Sequence, residues 1–229
     1  MNTNKNTPRF LGAAFLFQAV AALVWTLLLS SLIVTGDIFA SMTNIANNTL
    51  QMRASIVVAM LTAVGIAILG SLLFVTLKAQ NEKIALIALG LYLIEATILA
   101  VSRLPAFALL RVSQEFVTEG HPIQLQSMGN LLYESADFGD WLHMIPFTLG
   151  ALLFYYLFFK SEYIPRVLSL WGLTAVTLSL MGTLLVLLGY DVPMWVFYLN
   201  LPFELTIGVW LMVKGIPDGS ETNYRLANA

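Results

Sequence analysis

Two acidic residues stand in otherwise apolar stretches of the chain, and their positions suggest proton or ligand chemistry. Glu95 lies 11 residues after Ile84, where its apolar run begins, which is about 16 Å along a helix; Glu204 lies 12 residues after Val192. Both are therefore expected near the middle of a membrane, where a charged side chain costs about 2.5–3.5 kcal/mol. Burial disfavours the charged form, so we expect one or both carboxyls to hold a proton.

Helical spacing places further polar residues beside each carboxyl. Asn200, Glu204 and Gly208 fall at i, i+4 and i+8, so they share one face of a helix. Tyr92 and Glu95 share a face in the same way. His143 lies near the boundary of the fourth apolar run, and an isolated Gln18 lies in the first. The candidates for ligand-binding or proton-active residues are Glu95, Glu204, Asn200, Tyr92 and His143.

Several functions fit this set of residues. A polar cavity that opens to the outer leaflet, with the two carboxyls as its floor, would bind a small lipophilic or amphipathic ligand. The same carboxyls would serve a membrane-embedded acid catalyst of the cyclase type, or a proton-coupled carrier. Alternatively, each carboxyl is a protonated hydrogen-bond donor that joins two helices. Catalytic residues, and whether the chain is an enzyme, stay open.

The composition excludes other classes of protein. Hydrophobic residues make up 59% of the 229 residues and charged residues only 10%, whereas soluble domains carry about 25% charged residues. The chain is therefore expected to lie in a lipid bilayer. Cysteine is absent and there are two histidines, so we predict no metal and no cofactor. A net charge of −2 without a basic stripe argues against nucleic acid as a partner.

Six apolar runs of about 20 residues predict membrane-spanning helices. They cover residues 10–34, 54–77, 84–102, 141–159, 167–189 and 192–213. The first run exceeds the apolar core of a signal peptide, so we expect it to be retained. The predicted fold is an all-α polytopic membrane protein: one six-transmembrane-helix bundle over residues 1–214, followed by a mobile cytoplasmic tail at 215–229.

The distribution of basic residues predicts the orientation. With the N-terminus inside, eight Lys and Arg residues fall in cytoplasmic segments and three in outer ones. This positive-inside bias places both termini in the cytoplasm.

Two long outer segments, 36–53 and 104–140, are expected to be more than connectors. Residues 36–53 predict an amphipathic helix with Asp37 as its N-cap. Residues 106–116 and 123–133 predict two more helices, separated by a Gly-His-Pro break. We expect these helices to cap the outer side of the bundle, although plain connectors are the alternative. Arg103 and Arg111 are expected to contact lipid headgroups.

The fifth apolar run carries small residues at helical spacing. Gly172, Ser179, Gly182 and Thr183 would allow another helix to approach closely. A homo-oligomer, or a membrane-protein partner docked on this Gly172–Gly182 face, is the corresponding prediction. The chain would then be a non-catalytic partner or regulatory subunit.

Four stretches of the chain carry a family resemblance. They are Arg-Phe-Leu-Gly at 9–12, Tyr-Leu-Ile-Glu-Ala at 92–96, the segment 159–168, and the end of the last run at 204–215. With these the chain resembles the bacterial multi-pass membrane family catalogued as domain of unknown function 4386. The Ser-x-x-x-Pro-Arg-x-Leu turn within 159–168 is the most specific piece, and Ser169 follows it where family members often have Gly. The resemblance implies a helical bundle in the cytoplasmic (inner) membrane of a bacterium or archaeon, with no established activity.

Overall fold

Ten α-helices make up most of the chain in the computed structural model, which describes residues 7–216. Long apolar sequences favour helices because a helix satisfies its backbone hydrogen bonds without water. The helices are α1 (Thr7–Ser30), α2 (Ile38–Asn47), α3 (Thr49–Leu77), α4 (Glu82–Val101), α5 (Arg103–Thr118), α6 (Ile123–Leu142), α7 (Met144–Ser161), α8 (Arg166–Leu187), α9 (Trp195–Tyr198) and α10 (Asn200–Val213).

Six stretches of these helices are long and apolar enough to cross a membrane. The predicted six-transmembrane-helix bundle is therefore confirmed, and the protein is a multi-pass membrane protein. The six stretches are Thr7–Ser30, Thr49–Leu77, Glu82–Thr118, Ile123–Ser161, Arg166–Leu187 and Trp195–Val213.

The spanning helices form a ring in the order of the sequence. α1 packs on α3, α3 on α4, α4 on α7, and α7 on α8; α10 closes the ring by packing mainly on α1 and less on α8. Short turns hold α3 beside α4 and α7 beside α8, as is usual for consecutive antiparallel helices. The interior of the ring is filled by apolar side chains, with the rings of Phe15, Phe154, Phe158 and Phe203 among the most buried.

The helices α2, α5 and α6 pack together at one end of the bundle, and we call them the cap. They share a second apolar core, to which Met42, Leu110 and Phe116 contribute. Asp37 caps α2 as predicted, because its carboxylate accepts a hydrogen bond of 2.9 Å from the backbone N–H of Ala40. The cap is confirmed as more than a connector, while the side of the membrane that it faces stays a prediction.

Several helix ends differ from the predicted ones. The helix predicted at 36–53 ends at Asn47, and Arg53 already belongs to the spanning helix α3. The helix predicted at 123–133 continues to Leu142, while α1 ends at Ser30 instead of residue 34. Hydropathy marks the apolar residues of a segment, whereas the ends of a helix also depend on its contacts with neighbouring elements. Of the tail predicted at 215–229, residues 217–229 lie outside the described residues.

The last span is interrupted near its beginning. Leu199 separates the short helix α9 from α10, and Pro202 occupies the third position of α10. A backbone N–H in the first turn has no partner within its own helix, so proline removes no helical hydrogen bond there. The interruption is therefore a break between two helices, located just before Pro202.

Candidate functional site

The two intramembrane carboxyls meet inside the bundle. Glu95 on α4 and Glu204 on α10 interact electrostatically with each other and with the hydroxyl of Tyr92, as the sequence suggested. Tyr155 on α7 joins them, and its hydroxyl neighbours that of Tyr92. Three helices thus bring four acidic side chains together. We call Glu95, Glu204, Tyr92 and Tyr155 the carboxyl–tyrosine cluster.

Close helix packing fixes the ring of Tyr92 in this cluster. A Cβ atom added to Gly70 on α3 would lie 2.8 Å from Tyr92 Cβ, and one added to Gly150 on α7 would lie 2.8 Å from Tyr92 Cδ2. The two glycines therefore let α3 and α7 clamp the tyrosine from both sides. Phe154 packs edge-on to the Tyr92 ring, with 5.3 Å between ring centroids. These contacts leave the ring little freedom.

Tyr155 is held from the opposite direction. Its ring packs edge-on against Phe203 of α10 at a centroid distance of 4.7 Å. Phe203 in turn fills the space beside Gly172 of α8, where an added Cβ would lie 2.5 Å from the Phe203 ring. The two tyrosines of the cluster are therefore positioned by packing against neighbouring helices.

Three buried carboxyl or amide oxygen atoms in the bundle interior have no hydrogen-bond partner. Glu95 is only 4% exposed, and its Oε2 atom is unpartnered. Asn200 is 7% exposed; its Nδ2 donates to Ser179 Oγ at 2.7 Å, whereas its Oδ1 has no partner. The third is Oε1 of Gln18 on α1. An unpartnered buried acceptor is costly, so these oxygens call for a hydrogen-bond donor.

Glu204 retains some exposure although it lies on an inward face. Asn200, Ile207, Gly208 and Leu211 surround it on α10, and all four are buried. These neighbours turn their face into the bundle, and Glu204 lies among them with intermediate exposure.

A second polar cluster lies where the bundle meets the cap. Arg103 at the start of α5 is buried, forms an ion pair with Asp140 of α6, and stacks over the Trp25 ring at 4.8 Å from its centroid. Gly139 lets α6 come close to the end of α4 at this point, because a Cβ at Gly139 would collide with Ser102 Oγ. The expected contact between Arg103 and lipid headgroups is wrong, since the guanidinium is enclosed by protein.

His143 belongs to this second cluster and not to the carboxyl–tyrosine cluster. It lies between α6 and α7, where it interacts electrostatically with Arg103, and its Nδ1 atom is buried without a partner. Tyr155 lies 12 residues further along the same helical stretch, about 18 Å away by helix rise. The two clusters are therefore separate sites.

The small-residue face of α8 is covered within the chain. Phe203 lies against Gly172, and Phe197 and Val196 lie against Gly182. Ser179 accepts the hydrogen bond from Asn200. The face that was predicted to dock a partner thus receives α9 and α10, while the existence of a partner stays a prediction.

Two surface grooves are present, and neither is lined by the carboxyl–tyrosine cluster. One, of about 450 Å³, runs along α10 between Leu205 and Lys214. The other, of about 390 Å³, lies between α6 and the end of α8, and its lining includes Glu134, Asp137 and Trp141. Within residues 7–216, no group of three or more His, Asp or Glu side chains is arranged to hold a metal ion.

Sequence reasoning identified Glu95, Glu204, Tyr92 and Asn200 but missed Tyr155. The only signal for Tyr155 was a pair of adjacent tyrosines, Tyr155 and Tyr156, of which one is buried and the other exposed. The sequence does not reveal which of the two faces inward. Asp140 was also missed as the partner of Arg103, because the two residues are 37 positions apart in the sequence and lie on different helices.

The comparisons with known proteins place the chain in a family without giving it an activity. The family model described as Domain of unknown function (DUF4386) matches residues 10–215. No curated protein and no solved structure matches the chain.

Proposed function

The chain belongs to the DUF4386 family, and we propose that it binds a small lipophilic or amphipathic ligand within the bundle, with Glu95 and Glu204 at the polar end of the binding site. The family description assigns no activity, so the proposal depends on the site itself. The observation that carries it is the carboxyl–tyrosine cluster, in which Glu95 is enclosed while its Oε2 atom lacks a partner.

A purely structural role explains this arrangement less well. A protonated glutamic acid that joins two helices would use its oxygens in hydrogen bonds between them. Glu95 instead interacts electrostatically with a second carboxyl and two tyrosines. Glu204, which completes the same group of side chains, is less enclosed than Glu95. Catalysis or proton-coupled transport would use this site too, so binding is the step to test first.

The proposed location is the cytoplasmic membrane of a bacterium or archaeon. Both termini would lie in the cytoplasm, so the cap would face outward. Asn200 lies one turn from Glu204 towards the cap, because α9 contacts Trp141 through Phe197 at 5.0 Å between ring centroids. A ligand would accordingly enter from the outer leaflet.

The test is a thermal-unfolding titration of purified protein in detergent with a panel of cationic, neutral and anionic amphipaths. We expect at least one class to raise the unfolding midpoint saturably, because a ligand that binds only the folded state stabilises it. Glu95→Gln and Tyr92→Phe should abolish this rise. The matched control Glu134→Gln removes an exposed cap carboxyl and should leave the rise unchanged.

Absence of a saturable rise for every class would contradict the proposal. So would a rise that persists unchanged in both Glu95→Gln and Tyr92→Phe. Either result would favour the reading in which the carboxyls only join helices.

A further inference from the structure

We propose that the ligand is a primary or secondary ammonium ion with an apolar body, an inference that depends on the proposed interior site and names its ligand class. The first observation is the chemistry of the unpartnered atoms. Glu95 Oε2 and Asn200 Oδ1, on the two helices that carry the glutamates, are both oxygens. Carboxylate and amide oxygens accept hydrogen bonds, so a hydrogen-bond donor complements both of them.

The donor assignment of Asn200 is fixed by its neighbour. The Nδ2 atom donates to Ser179 Oγ at 2.7 Å and to the Phe197 carbonyl oxygen at 3.4 Å, and because a carbonyl only accepts, the amide turns its oxygen to the other side. Asn200 and Glu204 are one helical turn apart on the inward face of α10. An N–H donor bound at Glu204 therefore lies roughly 5 Å, the length of one helical turn, from Asn200 as well.

The second observation is the balance of charge. The six apolar runs contain two glutamates and no lysine or arginine. Arg103, the buried cation closest in sequence to Glu95, is already paired with Asp140 at the cap. A ligand with one positive charge would favour the ionised form of a carboxyl that burial otherwise keeps protonated, whereas a carboxylate or phosphate would add a negative charge beside two carboxyls.

The third observation is the surface available to the rest of the ligand. The rings of Tyr92, Phe147, Phe154, Tyr155 and Phe203 make edge-on or tilted contacts with one another, and Tyr92 and Tyr155 interact electrostatically with both carboxyls. Aromatic faces accommodate both an apolar body and an adjacent cation. An ammonium group attached to a ring or a short alkyl chain matches all three features.

Equilibrium dialysis of the protein in zwitterionic phosphatidylcholine nanodiscs tests this inference. Four probes share one naphthyl ring: 1-naphthylmethylamine, its trimethylammonium analogue, 1-naphthylmethanol and 1-naphthoate. Empty nanodiscs measure partition into lipid, and their neutral surface avoids simple attraction of cations to anionic lipid.

We expect the amine to bind saturably at one site per chain. The trimethylammonium probe keeps the charge but has no N–H, so it should bind at least about tenfold more weakly, as the loss of a charge-assisted hydrogen bond implies. The naphthoate should not bind above partition. Glu95→Gln and Glu204→Gln should each weaken amine binding at least about tenfold, whereas the groove control Asp137→Asn should not change it.

Other outcomes separate the two proposals. Glu95-dependent binding of the alcohol or the naphthoate that equals that of the amine would overturn the ammonium assignment and leave the interior site standing. Amine binding that is lost in Asp137→Asn but kept in both glutamate variants would place the cation in the groove between α6 and α8, and would overturn the interior site. Saturable binding by none of the four probes would overturn the ammonium assignment.

Discussion

Arg103 shows how strongly a single side chain can tie the cap to the bundle. Its side chain is 5% exposed and that of its partner Asp140 is 22% exposed, so the ion pair is largely desolvated. We expect Arg103→Ala to lower the free energy of unfolding by about 2–4 kcal/mol, because it leaves Asp140 unpaired and removes the contact with Trp25. Thermal or denaturant unfolding in detergent would measure this loss.

The chain contains a matched control for this prediction. Arg166 pairs with Glu162, but both side chains are more than half exposed, at 65% and 57%. Arg166→Ala should therefore cost less than about 1 kcal/mol. Equal effects of the two substitutions would mean that Arg103 faces water or lipid headgroups, as the sequence alone suggested.

At the residue scale the sequence identified most of the cluster and little of its geometry. An acidic residue in an apolar run is conspicuous because of its energetic cost, which is why Glu95 and Glu204 were recognised. Tyr155 has an amphipathic side chain that is ordinary in such a run. Its inward direction depends on the rotation of α7 about its axis, which is set by packing against α4 and α8.

The contact between α4 and α7 is a feature of whole helices and depends on glycine. Gly150 brings α7 against both the Tyr92 ring and the Ala88 carbonyl oxygen, 3.2 Å from an added Cβ. We expect Gly150→Ala to lower the free energy of unfolding by about 1–3 kcal/mol, because the two helices must separate or the tyrosine must move. The unfolding midpoint and binding of the naphthylmethylamine probe would both be measured.

Gly90→Ala on α4 provides the control for Gly150→Ala. Gly90 lies within α4, and a Cβ added there meets no atom within 4 Å. Gly90→Ala should leave stability unchanged or raise it by up to about 1 kcal/mol, since alanine favours the helix. Loss of stability in Gly90→Ala as large as that in Gly150→Ala would show that close packing is not the cause.

Element boundaries were the least predictable part of the fold. Hydropathy found the six spans because each must be apolar over about 20 residues. It could not show that α3 begins at Thr49, within a segment predicted to be part of the cap, or that α6 extends to Leu142. Those ends depend on tertiary contacts with the second apolar core, which leave only a weak pattern in the sequence.

At the scale of the whole molecule, the ring and the cap explain why the chain contains two polar clusters. The carboxyl–tyrosine cluster lies inside the ring, and the Arg103–Asp140 pair lies where the cap closes one end of it. Eight residues separate Glu95 from Arg103, about 12 Å along the helix. A change in the position of the cap would therefore alter the geometry of the ion pair first, and then the position of Glu95 on the same helical stretch.

The direction in which the cap faces decides from which side a ligand would enter, and the absence of cysteine makes it simple to measure. Glu119 lies in the exposed turn of the cap, and Glu82 lies exposed at the opposite end of the bundle. The positive-inside bias predicts that a membrane-impermeant maleimide labels Glu119→Cys in intact cells, and labels Glu82→Cys only after permeabilisation. The unsubstituted chain, which has no Cys, is the blank. The reverse pattern would place the cap and the N-terminal end of α10 on the cytoplasmic side, so that a ligand would reach Glu204 from the cytoplasm.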